Sequence, residues 1–508
     1  MEKIKHKPYG PYEKYIKRPL DLICSLIAII VFSWLYLIIA ILVRVKLGSP
    51  VIFTQDRPGK DEKIFKLCGL SNIIRQNKGS VSNDMNLFLH GTNCAIIIGL
   101  NCANARLYSY KLLDNAGKGN VSDLGAAFDW CLMKHIRLVN LSFGTTHFKD
   151  KSIIRQLVNK YANQGLVIVA ATANSGYTAF PASVSSVIGV EAGDTFSIDD
   201  DSLRDKGVDF EAPSQHKFQL AGNDITLQKS NSYATPYATA MAGRLMAEQP
   251  EINVWQIKEQ LYQKFGKKCV QYIPDWIDKG WIAGKSLISN AEVYFETVKE
   301  EDQADTVILY DGNEFDRYRD KHIVYLGNEK IDEPDTPYFF WSRKNREKQI
   351  VCARIKKEMI NIPVILLQSD NGQDEIWWLT ELKKYFEVAG YNAYVISSKL
   401  ESVLYDLEYI PCDTDQEVKN HICDFMYWQT YYNQSDLIIY GVQGNEAKTI
   451  GVDADVLVKI ENKGERIHIQ FYCDGIKRTQ VDFETLGVEQ IKEVYDHLLA
   501  FLTGDEDE

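Results

Sequence analysis

Residues 230–243 read Ser-Asn-Ser-Tyr-Ala-Thr-Pro-Tyr-Ala-Thr-Ala-Met-Ala-Gly, and this stretch decides how the rest of the chain is interpreted. Small polar residues followed by an alanine-rich run predict the start of a helix. The first N–H groups of a helix have no partner within it, so they can stabilise a developing negative charge. A hydroxyl at that position is suited to nucleophilic attack, and Ser232 is the candidate nucleophile.

Two phrases upstream supply a candidate base and a candidate amide donor. Residues 90–95, His-Gly-Thr-Asn-Cys-Ala, open an apolar run that predicts a helix, with His90 as general base. Residues 171–176, Ala-Thr-Ala-Asn-Ser-Gly, end an apolar strand. The side-chain amide of Asn174 at the tip of that strand is a neutral donor suited to an oxyanion.

These phrases, in this order, resemble the sequence boxes of the subtilisin-like (S8, subtilase) serine peptidases over about residues 80–265. The resemblance implies that Ser232 attacks the scissile carbonyl, His90 takes its proton, and Asn174 and the Ser232 N–H hold the oxyanion. It also implies that Ser142 and Gly144 belong to the edge that binds an extended peptide substrate. An ordinary strand end is the alternative interpretation of those two residues.

The third member of a subtilase triad has no clear counterpart. The family carries Asp-Ser/Thr-Gly before the histidine, and no such triplet precedes His90. Asp56, which follows the apolar run at 51–53, is the candidate acid, and Asp84 resembles a second, noncatalytic acid of the family. Loss of the orienting acid typically lowers turnover by about 10⁴. Weak or absent activity is therefore an alternative expectation.

The segment around these phrases alternates strands with helices. Such alternation predicts an α/β fold with a parallel sheet, helices on both faces, and the site at the carboxyl ends of the strands. This agrees with the subtilisin-like fold that the resemblance implies. The predicted strands are 106–113, 138–144 and 166–171, and the predicted helices are 121–135, 151–164 and 254–265.

Residues 22–43 form an uncharged apolar run long enough, at 1.5 Å per residue, to span a hydrocarbon layer of about 30 Å. Tyr-Ile-Lys-Arg-Pro-Leu-Asp-Leu at 15–22 and Gly-Ser-Pro-Val-Ile-Phe-Thr-Gln-Asp-Arg-Pro-Gly-Lys at 48–60 flank it. Together, residues 10–67 resemble the opening of the bacterial sugar transferases, monotopic phosphoglycosyl transferases whose first helix enters and leaves on the cytoplasmic face. The catalytic dyad of that family has no counterpart, so the segment is interpreted as a retained N-terminal membrane helix in contact with lipid. The predicted location is a bacterial inner or cell membrane, with the soluble domains in the cytoplasm.

Three domains are predicted: a membrane anchor at 1–67, a subtilisin-like peptidase domain at 68–300, and a second α/β domain at 301–508. In the last of these, residues 368–374 lie between a strand and a helix but lack the glycines and lysine of a phosphate-binding loop. Nucleotide binding is therefore not assigned, and a recognition or partner role is expected.

Composition narrows the functional classes. A net charge of -12 gives no reason to expect nucleic-acid binding, and ten cysteines without CxxC spacing indicate neither a metal site nor a disulfide framework. No cofactor is expected, the predicted partner is a peptide or protein substrate, and the oligomeric state stays open. The alternatives to a serine endopeptidase are a noncatalytic pseudopeptidase scaffold and a truncated undecaprenyl-phosphate phosphoglycosyl transferase.

Overall fold

The computed structural model describes residues 65–66, 90–112, 118–198, 206–220, 223–284, 290–329, 331, 333–334, 336–352, 361–369, 375–444, 453–463 and 466–503. The apolar run at 22–43, Asp56 and Asp84 lie outside the described residues. Residues Lys63–Glu508 cluster as one compact unit.

The first α/β region comprises residues 90–263 and carries the predicted site. Its central sheet has the order β3-β4-β5-β6 with every pair parallel, and β7 and β8 form a separate antiparallel hairpin. The elements, with the short pair β1 and β2, are β1 (Phe65–Lys66), α1 (His90–Asn101), β2 (Lys118–Gly119), α2 (Val121–Met133), β3 (Leu138–Leu141), α3 (Lys151–Asn163), β4 (Val167–Ala171), β5 (Ile188–Gly193), β6 (Phe210–Pro213), β7 (Lys217–Leu220), β8 (Asn223–Thr226), α4 (Asn231–Glu248) and α5 (Val254–Gln263).

Strand β4 shows why this sheet is covered on both faces. All five of its residues are buried. Ile168 and Ala170 join the apolar core formed with α2 and α3, whereas Val167 and Val169 join the core formed with α4 and α5. Successive side chains of a strand point to opposite faces, so a continuous apolar strand requires helices on each side. The predicted α/β class with a parallel sheet is confirmed.

One predicted strand is absent from this sheet. Residues 106–112 adopt no regular secondary structure, and residues 103–108 are exposed. Among the described residues β3 pairs only with β4, so the outer edge of β3 has no partner there. A strand is stable only when a neighbour accepts its hydrogen bonds, and residues 106–112 have no such neighbour in the described sheet.

The second α/β region comprises residues 279–503 and contains two sheets. Their orders are β10-β9-β11-β12-β13, all parallel, and β16-β15-β17-β14-β18-β19-β20, in which only the last two pairings are antiparallel. One apolar core includes residues of both sheets. The elements are β9 (Lys279–Ile282), β10 (Glu296–Thr297), β11 (Thr306–Leu309), β12 (His322–Tyr325), β13 (Phe340–Trp341), α6 (Arg343–Cys352), β14 (Val364–Ser369), α7 (Glu375–Ala389), β15 (Ala393–Ser397), β16 (Glu408–Tyr409), α8 (Gln416–Asn433), β17 (Leu437–Gln443), β18 (Val456–Lys463), β19 (Arg466–Cys473), β20 (Ile476–Phe483) and α9 (Val488–Thr503).

A buried ion cluster joins the two regions. Asp406 of the second region lies 2.5 Å from Arg155 and 3.5 Å from Lys151, both of the first region, and 2.7 Å from Lys383. Burial alone would raise the pKa of Asp406, but the three cations hold it well below its ordinary value. The carboxylate is therefore ionised at neutral pH and fixes the first region against the second.

The described helices contradict the predicted membrane localisation, which is therefore wrong. Across the described ranges between residues 65 and 503, no helix combines the length and apolar character needed to cross a bilayer. The run at 22–43, on which the prediction was based, lies outside those ranges.

Candidate active site

The start of α4 presents Ser232 within its first turn. Ser230 is the N-cap residue, and its hydroxyl oxygen accepts a hydrogen bond from the Ser232 N–H at 3.2 Å. Serine is a favoured N-cap because its side chain satisfies one of the unpaired N–H groups of the first turn. The N–H that the resemblance assigns to the oxyanion is thus bonded to the Ser230 hydroxyl.

Pro236 explains a second contact at this helix start. Proline has no N–H, so the Ser232 carbonyl lacks the usual bond from the residue four positions later. The thiol of Cys94 donates to that carbonyl oxygen at 3.6 Å, and it also contacts the Ser142 hydroxyl at 3.4 Å. Cys94 therefore ties α1 to the turn that carries the predicted nucleophile.

His90 lies at the beginning of α1, which packs against α4. Its ring stands edge-on to the ring of Tyr233, the residue after Ser232, with centroids 5.1 Å apart. Its Nδ1 is 3.9 Å from the Cys94 Sγ, and burial lowers the pKa of the imidazole below its ordinary value. Within the described part of the chain no hydrogen bond joins His90 to the Ser232 hydroxyl.

Asn174 reaches the same helix start from the end of β4. Its Oδ1 accepts a hydrogen bond from the Asn231 N–H at 3.0 Å. A backbone N–H can only donate, so this bond fixes the orientation of the amide and leaves the Asn174 Nδ2 as the available donor. Asn231 is itself held by the Ala192 N–H, which donates to its Oδ1 at 3.0 Å. Asn174 is exposed, as a group that meets substrate must be.

Ser142 and Gly144 follow β3 beside this turn. The Ser142 hydroxyl is buried and accepts from the Asn140 Nδ2 at 3.0 Å, so its role at the edge must come from its main chain. A Cβ on Gly144 would lie 2.9 Å from the carbonyl oxygen of Phe180. The next residue, Thr145, exchanges two 2.8 Å backbone hydrogen bonds with Phe180. Gly144 permits that close pairing.

The structure therefore brings His90, Asn174 and Ser232 to one place, with Ser142 beside them through Cys94. Asp56 lies outside the described residues, and its role as the triad acid stays a prediction. No group of three or more His, Cys, Asp or Glu side chains that could hold a metal ion occurs in the described part of the chain.

Sequence reasoning missed two residues of this site, Cys94 and Ser230. Cys94 follows His90 by four positions, and residues four apart share a helix face, so the spacing could have revealed the contact. Ser230 precedes the helix by one residue, and its preference for the N-cap position could have revealed the bond to the Ser232 N–H.

A parallel α/β sheet with a histidine, an amide and a serine meeting at a helix start defines the class of serine hydrolase-like sites. Sequence comparisons show which families two parts of the chain resemble. Residues 72–277 match the model of the Subtilase family, and residues 12–91 match the model of the Bacterial sugar transferase family. Both resemblances noted in the sequence are thus confirmed.

Several characterised proteases are similar to this segment. The Minor extracellular protease Epr of Bacillus subtilis (strain 168) is 31% identical over 238 residues, which cover 40% of this chain and 35% of that protein. The Cell wall-associated protease of the same organism is 32% identical over 233 residues, covering 42% of this chain and 26% of that protein. The solved structure of Sphericase shares 24% identity over 32% of this chain and 60% of its own, with a TM-score of 0.27. The chain therefore spans about a third or less of the first two relatives.

Proposed function

We propose that the first α/β region is a serine endopeptidase of the subtilase type. The observation that carries this proposal is the convergence on one helix start: the Asn174 amide bonds to the Asn231 N–H, and the His90 ring lies against Tyr233. These contacts support assigning His90 as the base and Asn174 as the oxyanion donor for Ser232. The match of residues 72–277 to the Subtilase family supports the same chemistry.

In the proposed reaction, the Ser232 oxygen attacks the carbonyl carbon of a peptide bond while His90 accepts the hydroxyl proton. The carbonyl oxygen becomes an oxyanion that accepts a hydrogen bond from the Asn174 Nδ2. His90 then returns the proton to the leaving amine, and water hydrolyses the acyl-enzyme by the same route. The main chain of Ser142–Gly144 pairs with the extended substrate.

The acid that would orient His90 decides the rate. The Nδ1 of His90 faces the Cys94 thiol at 3.9 Å, and a neutral thiol stabilises an imidazolium far less than a carboxylate does. If Asp56 does not occupy that side, turnover about 10⁴ below that of a complete triad is expected. Without that acid, the proposed activity is that of a slow endopeptidase.

The test is reaction of the full chain with a fluorophosphonate probe, followed by peptide mass spectrometry. An adduct on Ser232, absent from Ser232→Ala, is the expected result. Ser175→Ala is the matched control, because Ser175 is an exposed serine next to Asn174 and should leave labelling unchanged. An unlabelled Ser232 after prolonged incubation with excess probe would reject the proposal.

A noncatalytic scaffold is the second candidate, and one observation favours it. The Ser232 N–H is occupied by the Ser230 hydroxyl, where an active site would leave this donor for substrate. Such a scaffold would bind unfolded peptides without cleaving them. Peptide binding that is equal in the wild-type chain and Ser232→Ala, without any probe adduct, would support the scaffold over the enzyme.

A further inference from the structure

The second α/β region contacts the loop that follows Asn174. The Thr178 N–H donates a 2.9 Å hydrogen bond to the carbonyl oxygen of Tyr432, at the end of α8. The rings of Tyr177 and Tyr431 meet with centroids 5.8 Å apart. The loop that begins at the predicted oxyanion donor is therefore held by a helix of the other region.

Three aromatic side chains form a surface at this junction, which we call the tyrosine patch: Tyr177, Tyr427 and Tyr431. Tyr427 and Tyr431 are one helical turn apart on α8 and stack with an interplanar angle of 17° and centroids 6.3 Å apart. The side chain of Tyr431 is 51% exposed. Tyr431 thus contacts both other rings of the patch and also presents a face to solvent.

Helix α8 also forms a wall of the neighbouring cleft. Gln429 and Asn433 of α8 line a cavity of about 200 Å³ together with Thr178 and Phe180 of the first region. Phe180 pairs with the end of the predicted substrate-binding edge through Thr145. The surface next to the substrate edge is therefore built by both regions.

Chain length limits how far the patch can lie from the reacting bond. Tyr177 is three residues after Asn174, so their Cα atoms are at most about 10 Å apart. An extended peptide advances about 3.3 Å per residue. A substrate whose scissile carbonyl meets Asn174 can therefore place a side chain about three residues away against the patch.

We propose that the tyrosine patch is a specificity-determining surface that receives an aromatic side chain of the peptide substrate. This inference rests on the proposed endopeptidase function. Aromatic rings pair favourably in edge-to-face and offset-stacked arrangements. Within the patch, Tyr431 meets Tyr177 in a tilted arrangement and Tyr427 in a stacked one. Lys206 lies over the ring of Tyr432 at 4.9 Å beside the patch, and its ammonium group is paired with Glu191 at 3.6 Å.

The test is a cleavage-site profile. The full chain is incubated with a denatured, proteome-derived peptide library, and the cleaved ends are identified by mass spectrometry. The wild-type chain should show an enrichment of Phe, Tyr or Trp of about two- to tenfold at one position within three or four residues of the cleaved bond. Tyr431→Ala should lose that enrichment, and Tyr431→Phe should retain it.

Tyr108→Ala is the matched control, because Tyr108 is 48% exposed, contacts Trp130, and lies outside the patch. Its profile should equal that of the wild type. An unchanged aromatic preference in Tyr431→Ala, or no aromatic preference in the wild type, would overturn the inference. If Ser232 reacts with the fluorophosphonate probe in these samples, only the patch is refuted. If Ser232 does not react and no peptide is cleaved, the proposed function fails and the inference with it.

Discussion

Ser230→Gly tests how the helix cap affects the reaction at Ser232. The Ser230 hydroxyl accepts the Ser232 N–H at 3.2 Å, so an oxyanion that needs this donor must first displace the hydroxyl. An N-cap bond of this kind contributes about 1 kcal/mol to helix stability. Glycine in place of serine at the N-cap lowers that stability by only about a few tenths of a kcal/mol. Since 1.36 kcal/mol corresponds to a tenfold change in rate, removing the competing hydroxyl should raise the reaction rate about fivefold.

The assay is the second-order rate constant for fluorophosphonate labelling of Ser232, with kcat/KM on a fluorogenic peptide as a second readout. A full oxyanion donor is worth about 10² to 10³ in rate, which sets the upper bound for the gain. Ser230→Thr keeps a capping hydroxyl and should label at the wild-type rate. If Ser230→Gly is folded, as shown by thermal unfolding, and labels no faster than the wild-type chain, the Ser230 hydroxyl does not compete with the oxyanion.

Three further predictions concern buried ionisable groups. Lys258 lies 3.0 Å from Asp209, and both side chains are buried. Lys258→Ala should therefore lower the free energy of unfolding, measured by urea titration, by about 3–5 kcal/mol. The control Lys264→Ala, at the exposed end of α5, should change it by less than about 0.5 kcal/mol. A loss below about 1 kcal/mol for Lys258→Ala would contradict this. Burial lowers the pKa of His90, and a general base must be neutral to accept a proton. When kcat/KM is measured against pH, the midpoint of its acid limb should therefore lie below pH 6.5. A midpoint above pH 6.5 would show that a carboxylate faces the imidazole. Burial lowers the pKa of His322 to about 3. As pH falls below 6.5, the unfolded chain therefore binds a proton at His322 that the folded chain does not bind. Between pH 7.5 and 5 this difference should reduce the free energy of unfolding by about 2 kcal/mol. That reduction should be missing in His322→Gln, and its persistence there would rule out His322 as its source.

The first α/β region could be predicted from local patterns. The buried strand β4 and helix α3 differ from their predicted bounds by one residue at one end, because a continuous apolar run and an amphipathic run are local signals. The strand predicted at 106–113 failed over its described residues for the opposite reason. Its composition favours a strand, but a strand also needs a neighbour, and sequence composition does not supply one.

The site could be predicted in its residues but not in its contacts. His90, Asn174 and Ser232 were found from short phrases, because each phrase carries its own chemistry at a strand or helix end. The bond from the Cys94 thiol to the Ser232 carbonyl and the contact between the His90 and Tyr233 rings depend on side-chain positions within a few ångströms. Such positions are set by packing of α1 against α4, which no local pattern encodes.

The contact between the two regions could not be predicted from the sequence. Thr178 and Tyr432 are separated by more than half of the described chain, and neither belongs to a motif. The three cations around Asp406 come from two distant helices, with Lys151 and Arg155 on α3 and Lys383 on α7. Long-range pairs of this kind follow from the docking of whole elements.

Ser232 and Asn174 are proposed to act on the same reacting group, and a crystal structure of the phosphonylated full chain would test this. We expect phosphorus bonded to the Ser232 Oγ, with a phosphonyl oxygen about 2.7–3.1 Å from the Asn174 Nδ2. Phosphorus on any other residue, or a phosphonyl oxygen on Ser232 that points away from Asn174, would contradict it.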